Sequence, residues 1–309
     1  MKAARVHRFG PPDVVIIEEI DIPQPDEHQV LVQVNAAGVG PWDGLIRSGK
    51  SGLPQPLPLT LGTDLSGIVT AVGSGVTAFA RGDEVFGVSN ARFTDGNAEY
   101  AAALASMIAR KPRRLSHVDA AAVPVVAVTA LQMLVDHAHV QPGQRVLILG
   151  AAGAVGAFAV QLARDAGAHV IGTVRGKDVE YARRLGAHEV IDVTSAGSDR
   201  VGPVDAVVDL VGGEAQERSL SQLAPGGVLV SAVSQPDRER ASQYGVKAMF
   251  VLVQVVTAPL ARIASLLDDG QLTTTRVGTV LPLTDARVAH DMLEGMRSRP
   301  RGKIVLQVR

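Results

Sequence analysis

The chain predicts an α/β protein in two parts, a mainly-β N-terminal domain followed by a doubly wound domain built on a parallel sheet. Three observations predict it. The first third carries short alternating or β-branched segments separated by Gly- and Pro-containing turns. From about Ser116 onward, compact apolar runs of strand length alternate with segments in helical spacing. A glycine-rich turn then stands between one such strand and an amphipathic helix.

In the first part, residues 3–7, 14–20, 29–36, 67–72 and 84–88 read as strands, and turn chemistry such as Gly73-Ser74-Gly75 and Arg81-Gly82-Asp83 favours short antiparallel strands over long helices. In the second part the strand candidates are 146–149, 169–173, 189–193, 204–210, 227–233 and 249–253. Helices are expected at 154–166, 177–185, 214–223 and 236–244. Strands alternating with helices imply right-handed crossovers and a parallel sheet. After Pro259 a helix over 260–268, a strand near 277–281, a helix over 285–296 and a last strand over 303–308 are expected to return to the first domain.

Composition narrows the function. At 309 residues the chain holds two domains with a core each, and its 46% hydrophobic share is ordinary for a globular protein. Thirty Lys and Arg face 31 Asp and Glu, and a net charge of -1 supplies no broad field for a phosphate backbone or an anionic membrane. Neither nucleic acid nor membrane is an expected partner. There is no cysteine, which excludes disulfides, thiolate nucleophiles and thiolate metal ligands. The opening MKAARVHRFGPPD lacks the apolar core of a signal peptide, and the longest apolar stretch, 120–131, is short for a bilayer and carries Pro124. A cytoplasmic protein is the expectation.

The segment RVLILGAAGAVGAFAVQLARDAGAHVIGTVR places Gly150, Gly153 and Gly156 between a strand and a helix. Gly150 lets the chain turn, Gly153 lets the backbone approach a pyrophosphate, and Gly156 allows close packing of helix on strand. The helix N-terminus offers free N–H groups and a positive dipole end to the anion. The next strand ends at Thr173, where folds that prefer NAD carry an acid for the ribose hydroxyl, and here Arg175 and Lys177 follow instead. A carboxylate there repels a 2′-phosphate, whereas Arg and Lys donate charge-assisted hydrogen bonds to it. NADPH is therefore the expected cofactor.

These residues, together with LGTDLSGIVTAVGSGVTAFARGDEVFG (61–87), AEYAAA (98–103), AAAVPVVAVTALQ (120–132), DLVGGEAQERSLSQLAPGGVLVS (209–231) and RGKIVLQV (301–308), give a chain that resembles the zinc-independent quinone oxidoreductases. These form the zeta-crystallin-like branch of the medium-chain dehydrogenase/reductase superfamily. The resemblance runs nearly end to end. It implies a GroES-like catalytic domain over 1–118, completed by 264–309, and a Rossmann NADP-binding domain over 119–263, with cofactor and substrate in the cleft between them, in a homodimer. Gly40 and Thr63 match the first two zinc-ligand positions of the zinc-dependent relatives, and neither is a metal ligand, so no zinc is expected.

Without a Lewis acid, hydride addition to an already electron-poor alkene or quinone needs mainly orientation and a place for negative charge. The expected reaction is reduction of a quinone, or of the C=C bond of an α,β-unsaturated carbonyl. The other readings are a pathway-specific enoyl reductase and a catalytically idle NADPH-binding regulatory protein.

By resemblance, Asp43 is the polar candidate near the cofactor, and Gly40, Trp42, Thr63 and Phe250 belong to the substrate pocket. Gly40 stands where relatives usually carry Asn. Trp42, the one tryptophan, is either a flat apolar pocket wall or domain packing. The cofactor contacts carried over by position are Thr129, Ala154, Val155, Val211, Gly212, Ser234, Arg301 and Lys303, beside the glycines, Thr173, Arg175 and Lys177. The spacing of Asp43 and Arg47, i and i+4, reads as a helix-surface ion pair, and Tyr100 reads as strand packing. His137, His139 and His188 read as surface or helix-end polar groups.

Overall fold

A computed structural model of the chain describes residues 1–195 and 201–309. They form two compact units, Met1–Val125 with Gln254–Arg309, and Val126–Val253. The first unit begins with β1 (Lys2–Val6), β2 (Ile16–Glu19), β3 (Gln29–Val39), β4 (Leu59–Thr60), β5 (Asp64–Val72), β6 (Glu84–Val88), β7 (Tyr100–Leu104) and β8 (Ile108–Arg110). Short helices α1 (Pro41–Arg47) and α2 (His117–Ala121) interrupt and follow these strands, and α3 (Pro124–Gln132) comes next in the chain. β3 pairs antiparallel with both β5 and β7. Alternate β-branched residues of β3, Val30, Val32 and Val34, turn onto Leu65, Val69 and Val85 to make the core of this unit.

The second unit contains β9 (Arg145–Leu149), β10 (His169–Val174), β11 (Glu189–Asp192), β12 (Val204–Asp209), β13 (Leu223–Ser231) and β14 (Lys247–Phe250). Between them lie α4 (Ala154–Asp165), α5 (Val179–Leu185), α6 (Gly213–Ser219) and α7 (Arg238–Gln243). Among the described residues the strands form one sheet in the order β11-β10-β9-β12-β13-β14, with every pairing parallel. Burial runs almost unbroken along β9 and β12, as it does in parallel sheets covered on both faces. Strand order reverses between β9 and β12, and in such sheets ligands bind beyond the carboxyl ends of the strands at that reversal.

The remaining chain, α8 (Thr257–Asp268), β15 (Val277–Pro282), α9 (Ala286–Leu293) and β16 (Lys303–Gln307), belongs to the first unit. β16 pairs antiparallel with β3 and parallel with β15, so the end of the chain fills a place in the N-terminal sheet. No helix of the described residues is long and apolar enough to cross a membrane.

One expectation fails here. Arg47 does not form a surface pair with Asp43. It is fully buried, donates to the carbonyl of Gly10 at 2.7 Å and is paired with Glu294, just beyond α9. The reason is the return of the chain, because α9 packs beside α1 and covers the face that spacing alone leaves to solvent. His290 of α9 is buried with it, and burial together with the nearby Arg47 charge pushes its pKa down to about 3, so the imidazole is neutral.

Lys303, the first residue of β16, reaches Asp64, the first residue of β5, with Nζ 2.8 Å from Oδ2. Lys303 is 4% exposed and Asp64 is fully buried. Removing one member of such a pair leaves a charge without compensation, which costs roughly 3–5 kcal/mol. Lys303→Met is therefore expected to lower stability by about that amount, and adding Asp64→Asn to it recovers part of the loss. Urea denaturation of the two variants checks this, and equal stability of both rules out the pair as the cause.

Candidate cofactor site and a buried cluster at α1

In the second unit, β9 runs into Gly150, which takes φ +81°, a conformation that favours glycine. Its N–H donates to Thr173 Oγ1 at 3.1 Å, so the hydroxyl at the end of β10 helps shape the turn. A Cβ on Gly156 would stand 2.2 Å from the carbonyl oxygen of Gly150, and only glycine allows that approach. Gly153, extended and without a side-chain cap, starts α4. The first-turn N–H groups at Ala154, Val155 and Gly156 have no partner within the helix. With the dipole of a 12-residue helix behind them, they fit the diphosphate of a dinucleotide.

Beyond Thr173, Arg175 and Lys177 are exposed and have no hydrogen-bond or ion-pair partner among the described residues. Sequence reasoning missed an acid beside them. Asp192 ends β11, next to Val174 of β10, and its Oδ2 lies 2.9 Å from where a Cβ on Gly176 would be. Hydrogen bonds, first from the Thr194 hydroxyl and then from its N–H, hold this carboxyl below the usual range. The signal was an acid at the end of the following strand, which becomes a neighbour only once the sheet forms.

Val211, Gly212 and Ser234 lie in the loops that follow β12 and β13. Val211 Cγ2 is 3.1 Å from the Cβ position of Gly150, and Ser234 Oγ is 3.1 Å from that of Gly212, so the loop after β12 borders the glycine turn and the loop after β13 borders that loop. Thr129 is buried on α3. Phe250, expected at the substrate pocket, is the last residue of the edge strand β14 and is 39% exposed.

In the first unit, Asp43, Gly40, Trp42, Thr63 and Lys303 come together around the start of α1. Pro41 at the first helical position suits a helix start, and Asp43 Oδ2 accepts from the N–H of Gly40 at 2.7 Å. The Trp42 indole fills the space beside Gly40, where a Cβ would meet ring atoms at 2.5 Å. The glycine at the position usually held by Asn thus makes room for Trp42. Lys303 Nζ lies 4.3 Å from the centroid of the Trp42 ring, a cation–π contact added to its pair with Asp64. Asp64 Oδ1 accepts from the Val125 N–H at 2.9 Å. Sequence reasoning did not single out Asp64, although an acid opening a buried strand is a readable signal. Arg301, two residues before Lys303, is half-buried.

Thr63 has one hydroxyl proton and two neighbours, the Phe93 carbonyl at 2.8 Å and Asp43 Oδ1 at 3.3 Å. Both oxygens accept, so the single Thr63 proton is divided between the nearer Phe93 carbonyl and the Asp43 carboxyl oxygen. Burial raises the Asp43 pKa from the ordinary 3.8 to about 7, against the Gly40 hydrogen bond, the Lys303 charge and the Thr63 hydroxyl. Asp64 is also pushed up by burial, with Lys303 opposing.

The two positions matching zinc ligands do not fit a zinc ion. Gly40 has no donor atom and indole fills the space beside it, while the Thr63 hydroxyl is engaged and is not among the usual imidazole, thiolate and carboxylate ligands. No group of three or more His, Cys, Asp or Glu is gathered as a metal set among the described residues.

Sheet order, glycine turn and N-terminal β unit together define the class as a two-unit dehydrogenase/reductase. Residues 26–124 match the family model described as an alcohol dehydrogenase GroES-like domain, and residues 185–306 match the one described as a zinc-binding dehydrogenase. A quinone oxidoreductase of Pongo abelii is 35% identical over 239 residues, 74% of this chain and 72% of that protein. A 2-methylene-furan-3-one reductase of Solanum lycopersicum is 36% identical over 255 residues, 76% of this chain and 64% of the relative. The crystal structure of Escherichia coli quinone oxidoreductase complexed with NADPH superposes with a TM-score of 0.85 at 28% identity, over 99% of this chain and 100% of the other. The chain belongs to the quinone oxidoreductase, zeta-crystallin-like branch of the medium-chain dehydrogenase/reductase superfamily.

The proton on Asp43 carries a sign. Between the ordinary 3.8 and about 7 the folded chain holds this proton and the unfolded chain has released it, so stability falls as pH rises through that window and levels off above it. Asp43→Asn, which keeps the shape of the neutral acid, is expected to flatten that slope and to be more stable than the parent above neutrality. Urea denaturation across the window reads this, and an unchanged slope in the variant contradicts the assignment.

Proposed function

We propose that the chain is an NADPH-dependent oxidoreductase that reduces quinones, or the C=C bond of α,β-unsaturated carbonyls, by hydride transfer without zinc. The observation that carries the reading is the turn of Gly150–Gly156 at the open N-terminus of α4, with two cations following β10 that have no partner among the described residues. A diphosphate is held by the N–H groups of the first turn, and a 2′-phosphate by Arg175 and Lys177. Bound in this way, the reduced nicotinamide supplies the hydride. Trp42, braced by Lys303 and by the space at Gly40, forms a flat wall against which a planar, electron-poor substrate lies. Asp43, fully buried, holds the entry to α1 rather than touching substrate. The identities of Gly40 and Thr63 support a reaction without a metal Lewis acid, and the names of the two relatives carry the two substrate classes.

The same reading includes a homodimer. β14 is an edge strand, and Phe250 at its end is exposed, as are Tyr244 before it and Leu252 after it, which suits pairing with a second copy. Phe250→Asp is expected to shift the protein to monomer in light scattering, and a parent that is monomeric at all concentrations rejects the dimer.

Activity is tested by following NADPH and NADH oxidation with a panel of quinones, alkenals and cyclic enones. Turnover of none of them by a protein that binds the cofactor rejects the catalytic reading. For cofactor choice, Arg175→Ala is expected to raise the KM for NADPH about tenfold while leaving that for NADH within about twofold. Equal effects on the two show that Arg175 does not meet the 2′-phosphate.

A further inference from the structure

A dinucleotide that crosses the reversal between β9 and β12 has its diphosphate at α4. With its adenosine half over β10, its nicotinamide half goes to the side of β12 and β13. On that side the chain offers two loops, 210–213 and 232–234, whose exposed side chains Val211 and Val233 are apolar. Both loops are tied to one buried group. Asp209, the last residue of β12, is fully buried, is paired in register with Leu149 of β9 and Ser231 of β13, and has no counter-ion among the described residues.

Its carboxylate is satisfied by four donors. Oδ1 accepts from the N–H groups of Val211 at 3.0 Å and Gly212 at 2.9 Å, which folds the first loop back over the strand end. Oδ2 accepts from Gln216 Nε2 and from Ser231 Oγ, each at 2.7 Å. Ser231 Oγ in turn accepts from the N–H groups of Val233 at 3.2 Å and Ser234 at 3.3 Å, and Gln216 Nε2 is 3.2 Å from both the carbonyl and the hydroxyl oxygen of Ser234. Gly212 at φ +76° and Gly213 at φ +58° allow the first loop to turn tightly enough to reach the carboxylate.

We infer that Asp209 is a positioning residue for the nicotinamide half of the cofactor. One carboxylate sets the loop after β12 directly and the loop after β13 through Ser231 and Gln216, so the two apolar contacts offered to the ring are fixed relative to the glycine turn. An amide at this position keeps acceptance from Val211 and Gly212, but it turns an N–H₂ toward the donors Gln216 and Ser231, and the second loop is released. The inference rests on the cofactor reading given above, and the test separates the two.

Affinities for NADP⁺ and for 2′-phospho-ADP, the adenosine half alone, are measured by calorimetry on the parent, Asp209→Asn and Ser231→Ala, with folding checked by circular dichroism. The expected result is an NADP⁺ affinity about tenfold lower in Asp209→Asn and about threefold lower in Ser231→Ala, with 2′-phospho-ADP within about twofold of the parent in both. Parental affinity for NADP⁺ in both variants overturns the inference, as does an equal loss of both ligands, which marks general loosening of the unit. If Asp209→Asn does not fold, Ser231→Ala decides by the same criterion. Failure of the parent to bind either ligand overturns the cofactor reading, and this inference with it.

Discussion

A lysine from the last strand, buried against the aspartate that opens β5, is the interaction on which the first unit depends. The ion pair between Lys303 and Asp64 joins the end of the chain to the N-terminal sheet, and the same ammonium lies over Trp42 at the start of α1. A buried charge tolerates little displacement, because desolvation is offset only while the partner is at hydrogen-bond distance. Strand β16 therefore does more than fill a place beside β3. It determines where the α1 entry sits, and with it the indole that stands at the candidate substrate wall.

Among the described residues, three fully buried aspartates meet the cost of burial in three ways. Asp64 has a lysine. Asp43, whose pKa burial raises to about 7, accepts from the Gly40 N–H and the Thr63 hydroxyl. Asp209 has four hydrogen-bond donors, two from a loop, one from a helix and one from a strand end. In each case an unsatisfied carboxylate in an apolar interior would be costly. At the positions matching a zinc site the same economy of space is visible, since Gly40 and Trp42 are two halves of one change: the indole occupies what a side chain at 40 would need.

Much of the architecture was legible before any coordinates. The alternation of apolar strand-length runs with helical spacing foretold the parallel sheet, and the observed β9 to β14 fall where those runs lie. Edges were less legible. The strand read at 67–72 begins at Asp64, and the one read at 227–233 begins at Leu223, because pairing with a neighbour extends a strand past the point where its own residues favour one. The glycine turn was readable as a unit, since a positive φ at Gly150 and a close approach at Gly156 leave no other residue type. Arg47 was misread and Asp64, Asp192 and Asp209 were passed over for a common reason: the partner of each lies on another element, and spacing within one element says nothing of it.

By itself the sequence determined the class of fold, the superfamily, the glycine-rich turn and the lack of any thiolate ligand, all of which rest on local pattern or on composition. Tertiary structure alone decided which charged residues are buried, which of them have a counter-ion, and which loops answer to a single carboxylate. The physical reason is that burial and pairing are properties of several strands and helices assembled together, and an aspartate has no buried partner until the sheet that hides it has closed.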